Sequence, residues 1–174
     1  MRLHQIKLVF DAEQDRLLMR VSTDDGKEVL LWLTRRCVKL LWPALLKVLQ
    51  TAPEIALHAD SEARNALVGM QHEQAIRQAD FATPYKEDAR ERPLGVDPLL
   101  ISRIQTRQKS GGGCVLGLLP LKGKGINLSL DANMLHSFCR LLQTAVAKAE
   151  WDFKLALPQA LAAETSGQSA RTIN

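Results

Sequence analysis

Apolar residues alternate along the first part of the chain and then change rhythm. Ile6, Leu8 and Phe10 occupy every second position; after the polar stretch Asp11–Asp15 the alternation resumes at Leu17, Met19 and Val21, and after Thr23-Asp24-Asp25-Gly26 at Val29, Leu31 and Leu33. A period of two is that of a strand with one buried face. Asp-Gly readily takes the positive φ that a tight hairpin turn needs. An antiparallel meander of three strands is predicted. Thr34 then offers a hydroxyl to the first turn of a helix, and Val38, Leu41, Trp42, Leu45 and Leu49 fall on one helical stripe. Pro43 lies inside that stretch. Proline removes a hydrogen bond and clashes with the preceding turn, at about 3 kcal/mol. A kink near Trp42, or two shorter helices, is expected.

The same pattern recurs. Displaced by 97 positions, Leu17–Leu49 lands on Cys114–Val146 without a gap. Strand positions Leu17, Met19 and Val21 meet Cys114, Leu116 and Leu118; Val29, Leu31 and Leu33 meet Ile126, Leu128 and Leu130. Gly26-Lys27 meets Gly123-Lys124, Thr34 meets Asp131, and the helical stripe meets Leu135, Phe138, Cys139, Leu142 and Val146. Only Gly26, Lys27, Leu31, Leu33 and Leu45 are identical, so the agreement lies in turn, parity, cap and stripe. The first strand does not keep parity at this displacement, which calls for an insertion or deletion in the first turn.

The expected fold class is therefore α+β: two related β-β-β-α units packed around a shared core, with an extra helix in the connection. Residues 1–52 form the first unit and 53–97 the connection, with a helix near 61–80 that Asp60 or Ser61 caps. Phe81–Pro98 reads as an extended surface link, since residues before proline avoid the helical region. Residues 98–157 form the second unit, with a first strand in Leu99–Gln105, a loop at Gln108–Gly113, strands at Cys114–Leu119 and Ile126–Leu130, and a helix to about Glu150. Residues 158–174 read as a disordered tail. A chain of 174 residues makes one compact domain of this kind and needs no metal or disulfide to be stable.

No run approaches the ~20 apolar residues that span a bilayer. Lys7 interrupts any leader-like stretch, and three cysteines, Cys37, Cys114 and Cys139, lack Cys-x-x-Cys spacing. Reduced thiols in a cytoplasm are the expectation. The net charge of +4 is unevenly spread: Pro98–Leu130 contains no Asp or Glu but holds Arg103, Arg107, Lys109, Lys122 and Lys124. Such a segment can track phosphates. It has no Phe, Trp or Tyr on which bases would stack.

Catalytic signatures are missing from the pattern. Lys109-Ser110-Gly111-Gly112-Gly113 joins two strands and does not feed a helix, so it reads as a hairpin tip rather than a phosphate loop. His136 and Cys139 lie three apart on the last helix, but Cys139 falls on the apolar stripe. His4, His58, His72 and His136 have no metal-ligand spacing, and His72 with Glu73 fits a functional pair and a solvated helix face equally well. No catalytic residue, cofactor or metal is assigned.

Paired units of antiparallel strands and a helix resemble the single-strand DNA-binding folds of the Whirly and PUR-repeat type, which use four strands per unit where three are counted here. A meander entering a helix through Leu31-Trp32-Leu33-Thr34 resembles the head domains of centriolar and DNA-end-joining scaffold proteins. Both likenesses are architectural and carry no residue roles. The reading favoured is a non-enzymatic cytoplasmic binding or assembly module that recognises protein or a second copy of itself. The alternative is single-stranded nucleic-acid binding through Arg103, Arg107, Lys109, Lys122 and Lys124.

Overall fold

A computed structural model describes residues 3–88 and 90–158. The fold is α+β. Strands β1 (Leu3–Asp11), β2 (Arg16–Thr23) and β3 (Glu28–Thr34) lead into α1 (Arg35–Gln50), the short α2 (Pro53–Ala56) and α3 (Ser61–Gln78). Then come β4 (Leu99–Leu100), β5 (Arg103–Gln108), β6 (Cys114–Leu119), β7 (Ile126–Leu130) and α4 (Ala132–Ala149). One sheet has the order β1-β2-β3-β4 and the other β5-β6-β7. The pairings between these strands are antiparallel except β3 with β4.

That parallel pairing corrects the expected single strand over Leu99–Gln105. Leu99 and Leu100 sit beside Leu31 and Trp32, and the Ile101 N–H bonds the Trp32 carbonyl. One residue later the Ser102 N–H bonds the Leu119 carbonyl. The chain thus leaves one sheet and enters the other at Ile101–Ser102. Period counting cannot detect this, because the break changes partner rather than residue type.

The two halves correspond in measurable ways. Leu17 pairs with Leu33, and Cys114, 97 positions on, pairs with Leu130, so the second hairpin keeps the register of the first. Leu8 opposite Met19 corresponds to Thr106 opposite Leu116, a displacement of 98, so the first turn differs by one residue. Gly26 (φ 77°) and Gly123 (φ 92°) both take the left-handed conformation. Thr34 accepts the Cys37 N–H at 3.1 Å and Asp131 the Met134 N–H at 2.8 Å. Asp60 caps α3 in the same manner through the Ala63 N–H. Val38, Leu41, Trp42, Leu45, Val48 and Leu49 of α1 are buried, as are their counterparts Leu135, Phe138, Cys139, Leu142, Ala145 and Val146 of α4.

Packing crosses between the halves. Helix α1 lies chiefly on β5 and α4 on β1, and both halves contribute to one continuous core. Helix α1 is unbroken through Pro43, which removes the alternative of two shorter helices from the expectation of a kink near Trp42 or a break. The carbonyl that Pro43 leaves without a partner is that of Lys39; both residues are exposed, so water can satisfy it, and the buried stripe anchors the helix on either side. After α4 the chain takes a left-handed turn at Glu150 (φ 51°) and runs back in irregular form. It is tied by Trp42 Nε1 to the Ala156 carbonyl and by Trp151 Nε1 to Asp15. Of the tail expected at 158–174, residues 159–174 lie outside the described residues.

The connection is pinned to the outward face of the first sheet by a buried carboxylate. Glu28 is 1% exposed, and its Oε1 accepts from Arg20 Nε (3.0 Å), Arg20 Nη2 (2.8 Å) and Tyr85 OH (2.8 Å). Its Oε2 accepts from Arg92 Nε (3.0 Å) and Nη2 (2.9 Å). Burial pushes the Glu28 carboxyl up, but hydrogen bonds from Arg20, Tyr85 and Arg92 outweigh it and leave it below the usual range. Burial and the bond to Glu28 push the Tyr85 phenol to about 12. Glu87 bridges Lys7 and Arg20, and Glu91 meets Lys27 by backbone pairing. Removing the carboxylate strands two guanidinium groups. Glu28→Ala is expected to cost about 3 kcal/mol, the lower end for a broken buried pair because Arg92 is partly exposed. Urea unfolding checks this, and a loss under about 1 kcal/mol would show the cluster to be incidental.

Candidate functional site

The sequence-predicted basic residues fall on the second sheet. Arg103, Gln105 and Arg107 share one side of β5, and Lys109 continues the line past its end. Register places Val115 and Ser129 beside Arg107, Gly117 and Asn127 beside Gln105, and Leu119 beside Arg103. Lys109 Nζ reaches Ser129 Oγ at 3.1 Å, so its side chain crosses this outward face to β7. Arg103 Nη2 bonds the Pro120 carbonyl at 3.4 Å. Lys122 and Lys124 stand in the β6–β7 turn at the Arg103 end, opposite the Lys109 turn. The structure therefore brings Arg103, Arg107 and Lys109 into one row. Lys122 and Lys124 extend it at one end only. No acid lies on β5, β6 or β7.

The equivalent face of the first sheet is different in kind. Val9 of β1 stands opposite Leu18, Leu18 opposite Trp32, and Trp32 beside Leu100. This row crosses all four strands on the side away from the helices. Val9 is 41% and Leu100 43% exposed. At the same displacement of 97, Leu18, Leu30 and Trp32 correspond to Val115, Asn127 and Ser129. The connection covers the Gln5–Ser22–Glu28 row, reaches Lys7 and Arg20 of the next row through Glu87, and leaves Val9 and Leu100 exposed. The sequence signal for this surface was present in Val29–Leu33, which is apolar at both parities and so reads as buried on two faces.

The histidine and cysteine candidates resolve into core. His72 is buried, which corrects the reading of a solvated helix face. It meets His136 across α3 and α4, with Nδ1 to Nδ1 at 3.3 Å, so one nitrogen donates and the other accepts. Burial and the adjacent His72 hold His136 down at about 4, with Glu54 opposing; burial and Arg140 lower His72, with Glu73 opposing. Burial pushes Cys139 up to about 12 and Cys37 to about 11, so neither supplies a thiolate near neutrality. Among the described residues no three His, Cys, Asp or Glu side chains are grouped to hold a metal ion, and no helix is long and apolar enough to cross a membrane.

No known protein family, curated protein or solved structure matches the chain.

The histidine pair carries a pH signature. Both rings are neutral in the folded state and bind protons more readily when unfolded. Their contribution to stability is complete above the ordinary value of 6.5 and is lost as pH falls from there through about 4. The urea midpoint should drop over that window, and His136→Leu should flatten the drop. An unchanged slope in the variant would show that His136 binds protons equally in the folded and unfolded states.

Proposed function

We propose that the protein is a non-enzymatic binding or assembly module of the cytoplasm that recognises another protein through the outward face of β1–β4. The observation that carries this reading is the Val9–Leu18–Trp32–Leu100 row. A sheet face turned to water normally alternates to polar residues; here Val9 and Leu100 are exposed with half-buried Leu18 and Trp32 between them, and such an apolar surface marks an interaction site. The corresponding positions of β6 and β7 are polar or small apart from Val115, so the apolar character is specific to the first unit. The two units are read as copies of one block whose outward faces have diverged.

Selection of a random peptide library on the full chain tests this. Peptides with apolar side chains that bind the wild type and lose at least about tenfold on Leu18→Asp, with circular dichroism unchanged, support the reading. Equal binding to both proteins removes the face from consideration.

The row Arg103–Arg107–Lys109 favours a second reading, a phosphate-tracking surface for single-stranded nucleic acid. Without aromatic platforms such binding rests on counterion release. Five phosphate contacts through Arg103, Arg107, Lys109, Lys122 and Lys124 would give a log–log salt slope of about −3.5, and two a slope of about −1.4. Anisotropy of a labelled oligonucleotide should show the first value for wild type and the second after Arg103→Gln, Arg107→Gln and Lys109→Gln together. Absence of binding at low salt eliminates this function.

A further inference from the structure

The apolar row of the first sheet borders, at Leu18, a cavity whose chemistry narrows the partner. An open cavity of about 810 Å³ lies between that face and the connection, floored by Leu18 and Leu30 and walled by Arg20, Arg90, Arg92 and Val96. Val96 is 69% exposed at its rim. Three guanidinium groups meet here, but they are in different electrostatic states. Arg20 spends Nε and Nη2 on Glu28 and Nη1 on Glu87. Arg92 spends Nε and Nη2 on Glu28. Both are neutralised and held in place. Arg90 makes no ion pair among the described residues, and its Nε is buried without a hydrogen-bond partner. Asp88 and Glu87 also line the cavity, and neither pairs with Arg90.

We propose that Arg90 receives a carboxylate side chain from an acidic, apolar segment of the partner protein, whose neighbouring apolar side chains lie on Leu18, Leu30 and the row leading to Trp32. The planar end of a guanidinium fits a carboxylate in two parallel hydrogen bonds; with Nε closed to solvent, the seat offered by half-buried Arg90 is its Nη pair. The carboxylates already around the cavity weigh against a phosphate, since Glu28, Glu87 and Asp88 equal Arg20, Arg90 and Arg92 in number. Glu28 and Glu87 balance Arg20 and Arg92, leaving Arg90 as the cation not in an ion pair beside Asp88. A singly charged carboxylate on Arg90 is repelled less by these three acids than a doubly charged phosphate. The apolar row continuing out of the cavity decides for a chain segment over a small free acid, because an isolated carboxylate would leave Val9, Trp32 and Leu100 uncovered.

This inference rests on the protein-binding reading above, and the test separates the two. Peptides selected on the full chain are expected to pair Asp or Glu with apolar residues. A selected acidic peptide and its counterpart with Glu→Gln are then titrated by anisotropy against wild type, Arg90→Gln, Arg90→Lys and Leu18→Asp. The acidic peptide should bind wild type roughly tenfold or more tightly than the amide form. Arg90→Gln should abolish that preference, Arg90→Lys restore part of it, and Leu18→Asp weaken both peptides. If wild type binds acid and amide forms alike, or Arg90→Gln leaves the preference intact, the carboxylate seat is overturned while the docking face stands. Loss of all peptide binding, or dimerisation in sedimentation that Leu18→Asp removes, overturns both this partner and its seat.

Discussion

Neither three-stranded unit covers its own apolar face; each relies chiefly on the helix of the other. Helix α1 leaves β3 and lies on β5, and α4 leaves β7 and lies on β1. This exchange determines much else. It requires a connection long enough to carry the chain across, which is where α2, α3 and the extended link sit. It makes the core single, because Leu41 and Leu45 and their counterparts Phe138 and Leu142 fill one interior. It also turns one side of each sheet outward, so both sheet faces are available for binding.

Those two outward faces follow the same strand register with different side chains. On the second sheet, Gln105, Gly117 and Asn127 keep the surface low and polar, and Arg103, Arg107 and Lys109 give it a sign. On the first, the charges are turned inward on one another around Glu28, and hydrophobic residues stand at the surface. A buried carboxylate shared by two arginines and a tyrosine is a poor source of net stability compared with apolar packing. It is, however, directional. It fixes where Tyr85 and Arg92 sit, and hence how much of the sheet the connection leaves bare.

Much of this was legible from the order of residues alone. Strand parity, the Asp-Gly turn, the caps at Thr34, Asp60 and Asp131 and the stripes of α1 and α4 are all local, and local chemistry decides them. What escaped has a common cause. The meeting of His72 with His136, of Tyr85 with Glu28 and of Leu99 with Leu31 joins residues far apart in the chain, and neither periodicity nor spacing encodes such encounters. The unbroken α1 shows a further limit: the cost of Pro43 is set by whether the Lys39 carbonyl can reach water, which depends on the side of the helix that the rest of the protein covers. The outward row was written in the apolar run Val29–Leu33, but telling a buried second face from an exposed one requires knowing what lies over it.

Glu28 has one more consequence. A molecule whose halves lend each other a helix can, in principle, make the same loan between two copies of itself, with the Phe81–Pro98 segment as the hinge. Arg20, Tyr85 and Arg92 hold that hinge folded back on its own sheet. Opening these bonds is the step that any exchange of helices between two copies would first require.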